Sequence, residues 1–324
     1  MIFEKTIQNL YKKQLFNRCD DNGCVFYFSA KDFEGLNAEA YSFQSKRGDR
    51  LQGYFYYYGT PAEDRIVIFD HGMGGGHRSY MKEIEMLARH GYLVFSYDHT
   101  GCMESEGKCT NGFSQSLSDL DDCICALKAD EKYVGRSISV VGHSWGAFAA
   151  LNIPALHHDV THIVPMSGFL SVDRIIAQNF SGPMRLYAKS IRTLEETANP
   201  DFVDYDAIET FRSMKTKALV IYSADDKIVR AINHFAPLRK DMLGREEQIR
   251  FLLVNNKGHN PNFTEDAVKY KDAFFADLTG KLKRNELATD EAKKTFIASY
   301  DWNRMTAQEE ALWNEIFAFL DQKE

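Results

Sequence analysis

The chain has 324 residues, 44% of them hydrophobic and 26% charged, with a formal net charge of −7 and a pI near 5.8. This is globular composition, enough for one large core or two modest ones, and it excludes disordered and collagen-like classes. The acidic balance argues against a nucleic acid or an anionic membrane as partner, because either demands a basic surface.

The opening stretch MIFEKTIQNLYKKQL lacks the apolar region of a signal peptide, and no window reaches the roughly 18 consecutive apolar residues that span a bilayer. A soluble, cytoplasmic protein without a stable membrane anchor is the expectation. In that setting the six cysteines read as reduced thiols. None forms a Cys-x-x-Cys pair or sits near paired histidines at zinc-ligand spacing, so neither a metal nor another cofactor is expected.

In chain order, a helix is expected over about residues 3–16, followed by an aromatic stretch at 25–28 that packs on the core. Residues 39–60 read as two strands joined near Gly48 and Asp49, an antiparallel edge. Apolar, β-branched runs then recur at 66–69, 92–97, 137–141, 162–166, 218–222 and 249–254, each the length of a buried strand. Helical spacing fills 77–91 and 116–132 between them. Alternation of this kind implies an α/β fold, a mostly parallel central sheet with helices on both faces.

Between Gly168 and Ala218 the rhythm breaks, which marks residues 169–217 as a helical lid inserted after the sixth strand. The remainder, 1–168 and 218–324, forms the main body, with 1–38 as an N-terminal extension. Of the insertion's aromatics, Phe169, Phe180 and Tyr187 are candidate substrate contacts; the competing reading makes such rings the lid's own small core. A final amphipathic helix is expected at about 306–321, and residues 279–304 receive no role.

Chemistry concentrates at four places. Directly after the strand SISVV comes Gly142-His143-Ser144-Trp145-Gly146 and then the small-residue segment AFAALNI. A serine on so tight a strand-to-helix turn has a strained backbone, relieved by glycines two residues to either side, and its hydroxyl projects above the sheet as a nucleophile. After an earlier strand, His71-Gly72-Met73-Gly74-Gly75-Gly76 offers backbone amides to an oxyanion; Met73 is the candidate donor there, and Trp145, next to the serine, is the other. The loop lacks the Gly-x-Gly-x-x-Gly and Gly-Lys-Ser/Thr registers of nucleotide sites. A serine also needs a base. His259, in the loop 255–261 after the last strand, lies at the carboxyl edge where such sheets gather their chemistry. The orienting acid should lie between them in sequence: Asp226 is preferred, with Asp225 the alternative, and a plain turn or helix cap the non-catalytic reading of either.

Together these features resemble the α/β-hydrolase superfamily, and within it the serine aminopeptidase-like and monoacylglycerol-lipase-like esterases. The resemblance spans about residues 40–275 and includes Asp98-His99-Thr100-Gly101 with Ser105 and Gly107, similar to the family's Asp-x-Arg-Gly-x-Gly-x-Ser loop. Thr100 and Met103 depart from its Arg and Gly, and Ser223 stands where Gly is frequent. The resemblance implies hydrolysis of carboxylic esters of small or medium apolar acyl or aryl groups, or of monoacyl lipids, through an acyl-enzyme. An amidase, peptidase or thioesterase on the same residues, or a non-catalytic binding protein of the same fold, are the alternatives.

Overall fold

The computed structural model describes residues 3–322. Helix α1 (Glu4–Leu15) precedes the hairpin of β1 (Leu36–Gln44) and β2 (Arg50–Tyr58), whose turn places Gly48 at φ +84°. Then come β3 (Arg65–Asp70), α2 (Met81–Arg89), β4 (Leu93–Tyr97), α3 (Gln115–Ala129), β5 (Ser137–His143), α4 (Trp145–Asn152) and β6 (Val160–Met166). Three helices, α5 (Val172–Asn179), α6 (Arg185–Ala198) and α7 (Ala207–Ser213), separate β6 from β7 (Lys217–Ser223). Helix α8 (Phe235–Asp241) leads to β8 (Ile249–Val254), and α9 (Glu265–Lys283), α10 (Asp290–Ala298), α11 (Trp302–Met305) and α12 (Glu310–Leu320) close the order.

The strands form one sheet in the order β1-β2-β4-β3-β5-β6-β7-β8. β1, β2 and β4 pair antiparallel, and every pairing from β4 through β8 is parallel. Alternate residues of β3 serve opposite faces. Ile66 and Ile68 join α3, α4 and the insertion helices in one apolar cluster, while Val67 and Phe69 join α2 and α12 in another. Covered on both sides, β3 through β7 are almost wholly buried, which is why their sequences read as unbroken apolar runs.

Two expectations need adjustment. The helix at 77–91 begins as a single 3₁₀ turn, His77–Tyr80, because the His77 amide bonds the Asp98 carboxylate and so is tied to a neighbouring loop. The last helix starts at Glu310, since Gln308 pairs as a β-bridge with Phe263 and the Glu309 amide donates to the Asn262 carbonyl.

Residues 279–304 acquire a structural role. Leu287, Phe296 and Met305 join Phe274, Leu278 and Cys24 in a third small core, so the N-terminal extension and the C-terminal helices bury each other's apolar faces. Val25 packs on this cluster and Phe28 on the α2–α12 cluster.

Candidate active site

Parallel pairing sends the chain after β3, β5, β7 and β8 to one edge of the sheet, where Met73, Ser144, Trp145, Asp226 and His259 emerge. Ser144 caps α4 with φ 55° and ψ −109°, the strained turn anticipated from the glycines around it. Their absence of side chains is a packing requirement: a Cβ on Gly146 would lie 2.1 Å from the Asp70 carbonyl oxygen, and one on Gly142 2.5 Å from that of Gly146. The Ser144 amide donates to the Met166 carbonyl at 2.9 Å, fixing the turn to β6.

Ser144 Oγ lies 2.8 Å from His259 Nε2, and His259 Nδ1 lies 2.8 Å from Asp226 Oδ2. The Asp226 side chain is fully buried; its other oxygen accepts the amides of Ile228 at 2.8 Å and Val229 at 3.0 Å. Asp226 thus closes a local turn and meets His259 at once. Asp225 does not reach the imidazole. It accepts the Ser223 hydroxyl at 2.5 Å and the amides of Lys257 and Gly258, each at 3.2 Å, and so holds the loop that carries His259.

His143 fixes the same loop from the other side. Its Nε2 stands 2.7 Å from the His259 carbonyl, which can only accept, so Nε2 carries the proton and Nδ1 accepts the Tyr80 hydroxyl at 2.9 Å. Burial, with His259 adjacent, keeps His143 well below the usual imidazole range and therefore neutral.

Beneath the glycine loop lies a buried polar network that the sequence motif only hinted at. His99 stands between Asp70, 2.8 Å away, and Asp119, at 3.2 Å. Burial opposes its charge, but the two carboxylates prevail and push its pKa up to about 10. Thr100, where the family loop has Arg, donates its amide and hydroxyl to Asp119, each at 2.8 Å. The His99 amide donates to His71 Nε2 at 3.0 Å, and burial drives His71 down to about 3. A second pair, His77 Nδ1 to Asp98 Oδ1 at 2.8 Å, pins the far end of the loop; against the cost of burial, His77 holds the Asp98 carboxyl down to about 2.

Ser144, His259, Met73 and Trp145 border a cavity of about 730 Å³. Phe169 and Phe180 line it together with Phe113, Ile175 and Met184. Tyr187, expected as a third aromatic contact, lies off the cavity, which Met184 reaches just before α6 begins and no residue of α6 lines. Sequence reasoning missed the opposite wall, built by Ile7, Leu10, Tyr11 and Leu15 of α1. Their spacing of three and four residues was a visible apolar stripe without an assigned partner. The partner is α6: the buried Tyr11 hydroxyl bonds Glu195, which also accepts the Phe113 amide at 2.8 Å, and burial pushes that carboxyl up to about 7. A second, more polar cavity of about 540 Å³ adjoins Ser144 and His259 on the side of Asn260, Lys271 and Asp272.

Among the described residues, one cluster has metal-binding chemistry, Asp121, Cys125 and His157, with ligand atoms within 4.8 Å of one another. Lys46 pairs with Asp121, and Lys128 Nζ lies 3.1 Å from His157 Nδ1, so cations already occupy its surroundings. It takes no part in lining the Ser144 cavities. No helix among the described residues is long and apolar enough to cross a membrane.

Comparison with known proteins adds independent support for the architecture. The serine aminopeptidase S33 family model matches residues 61–203. A monoglyceride lipase homolog of monkeypox virus is 28% identical over 158 residues, 45% of this chain and 54% of that protein. Rat monoglyceride lipase is 30% identical over 123 residues, 37% of this chain and 38% of that protein. The chain thus spans about half or less of the length of these relatives. Among solved structures, a Pyrococcus furiosus esterase superposes with a TM-score of 0.58 at 19% identity, covering 80% of this chain and 96% of that one. In sheet order and serine turn the chain has the α/β-hydrolase fold of these structures, and over the matched stretches it is similar to the serine aminopeptidase S33 family and to monoglyceride lipases.

Proposed function

We propose that the protein is a serine hydrolase that cleaves carboxylic esters of small or medium apolar acyl groups. The observation that carries this reading is the unbroken hydrogen-bonded line from Ser144 through His259 to Asp226 at the floor of an apolar cavity. In it His259 takes the Ser144 proton as the oxygen attacks the acyl carbonyl, and Asp226 stabilises the imidazolium. The amides of Met73 and Trp145 receive the oxyanion; losing one such donor costs about 3 kcal/mol of transition-state stabilisation in comparable sites. The tetrahedral intermediate collapses to an acyl-enzyme as His259 protonates the departing alcohol, and water activated by the same imidazole releases the acid.

The acyl group occupies the cavity between α1 and the insertion, with Phe169 and Phe180 against it and helices α5 to α7 as a lid. The leaving alcohol exits through the polar cavity. No carboxylate lines the acyl cavity among the described residues, and Asp225, beside the polar one, is engaged by Ser223 and two backbone amides. A free amino terminus therefore finds no carboxylate in the acyl cavity, which favours esters there, and the exposed Asp272 on the polar cavity is the one anionic group left for it to meet among the described residues. Hydrolysis of p-nitrophenyl esters of graded chain length, set against aminoacyl anilides, tests this: the reading expects turnover of the esters at least 100-fold faster, and faster cleavage of the anilides overturns it.

A further inference from the structure

Beyond the hydrolytic site, two thiols are placed together that the proposed chemistry does not use. Cys19, in the segment after α1, pairs with Cys102 as a parallel β-bridge: the Cys19 amide donates to the Gly101 carbonyl at 2.8 Å, and the Met103 amide to the Cys19 carbonyl at 3.0 Å. Paired residues in a ladder present their side chains to the same face, with backbones about 4.8 Å apart. A disulfide needs Cα atoms about 4.4–6.8 Å apart, so this backbone already satisfies it. The electrostatics agree, since each thiol is the first cause of the other's shift, downward for Cys19 and upward for Cys102. Arg18 keeps the bridge in place by donating to the carbonyls of Ser105 at 2.9 Å and Gly107 at 2.8 Å.

We propose that Cys19 and Cys102 form a reversible disulfide that tunes the oxyanion loop. Cys19 is half-buried and Cys102 fully buried, which sets the order of events. Cys19 is the more accessible of the two, and the neighbouring Cys102, working against burial, holds its thiol down to about 7, so Cys19 is the attacking sulfur. Its thiolate attacks a small-molecule disulfide such as oxidised glutathione, breaking that S–S bond, releasing one thiol and leaving a mixed disulfide on Cys19. Cys102 then loses its proton and attacks the Cys19 sulfur, expelling the second thiol; the two cysteines are oxidised and one external disulfide is reduced to two thiols. The consequence reaches the site because Met103, next to Cys102 and bonded through its amide to the Cys19 carbonyl, packs against Gly76 of the oxyanion loop, where a Cβ would lie 2.7 Å from the Met103 Cγ. Closing the S–S bond draws the two backbones together and shifts Met103 against Gly76, which displaces the loop. This last step rests on the reading of Met73 as an oxyanion donor.

The test is to equilibrate the whole protein with oxidised and reduced glutathione at graded ratios. Each sample is then alkylated under denaturing conditions, its intact mass and linked peptides recorded, and p-nitrophenyl ester hydrolysis measured. The expected result is loss of two of the six alkylatable thiols, a Cys19–Cys102 linked peptide, and a several-fold fall in hydrolysis that dithiothreitol restores. Cys102→Ser should stop at glutathione on Cys19, and Cys19→Ser, which cannot be cross-linked, should keep its activity under oxidation. Six free thiols at every ratio, a link between other cysteines, or full activity in the cross-linked protein overturns the proposal. A protein that cross-links as described but hydrolyses no ester in either state instead refutes the hydrolase reading and leaves the disulfide standing.

Discussion

Asp225 and Asp226 are chemically identical neighbours, yet their surroundings divide the work between them. Only Asp226 reaches the imidazole, while Asp225 spends its oxygens on the loop amides of Lys257 and Gly258. Asp226→Asn is therefore expected to lower kcat by about 10⁴-fold with little change in KM, since the wrong histidine tautomer is then favoured. Asp225→Asn should cost stability and no more than about tenfold in rate. Steady-state kinetics on one ester, with a melting curve for each variant, separates the two. The sequence placed the acid within one residue, and chain order went no further, because which of two adjacent carboxylates faces inward depends on the twist at the end of β7.

His99 supports a second expectation at the same scale. Its folded pKa, about 10, exceeds the ordinary value of 6.5, so the folded protein holds a proton that the unfolded chain releases between those limits. The stability this contributes is complete below about pH 6.5 and is lost as pH rises toward 10. His99→Gln should remove that slope and leave the Asp70 and Asp119 carboxylates facing each other without a cation, costing about 3–5 kcal/mol near neutrality. Denaturant melts of both proteins from pH 6 to pH 10 measure it; parallel curves would refute the assignment.

At the scale of elements, α1 shows how a local signal can be read correctly and still not be understood. A helix was expected there, but its apolar stripe says only that something covers it, not that α6 lies on one side and the cavity beside Ser144 on the other. The connection is non-local, Tyr11 to Glu195 across more than half the chain, and no motif encodes it. Tyr11→Ala should enlarge the cavity and release the α1 wall, raising kcat/KM for long-chain relative to short-chain p-nitrophenyl esters by about tenfold. An unchanged chain-length profile would remove α1 from the binding wall. The aromatic insertion gave the opposite result: Phe169 and Phe180 border the cavity whereas Tyr187 does not, because composition reports rings without their direction.

Across the whole molecule, the strand and helix alternation was legible because a parallel sheet buried on both faces leaves unbroken apolar runs. The extensions were less so, since their partners lie at the opposite end of the chain. The segment after α9 braces the site from behind: Lys257, in the His259 loop, pairs with Glu309 at 2.6 Å, and Asn262 bonds Glu83 at 2.9 Å and Gln308 at 2.8 Å. Trp313 anchors this arrangement, fully buried against the sheet with its indole N–H on Gln308 at 2.9 Å. Trp313→Ala should cost about 3–5 kcal/mol of folding stability in urea titration. A loss under 1 kcal/mol would mean that α12 is not part of the cooperative core.

All of this converges on one nucleophile, and the most direct measurement is covalent. Incubation of the folded protein with a fluorophosphonate, followed by intact mass and peptide mapping, should give one phosphonyl group per chain, located on Ser144, with no label on Ser144→Ala or on wild-type protein unfolded beforehand. Labelling at another residue, or ester hydrolysis undiminished in Ser144→Ala, would contradict the account.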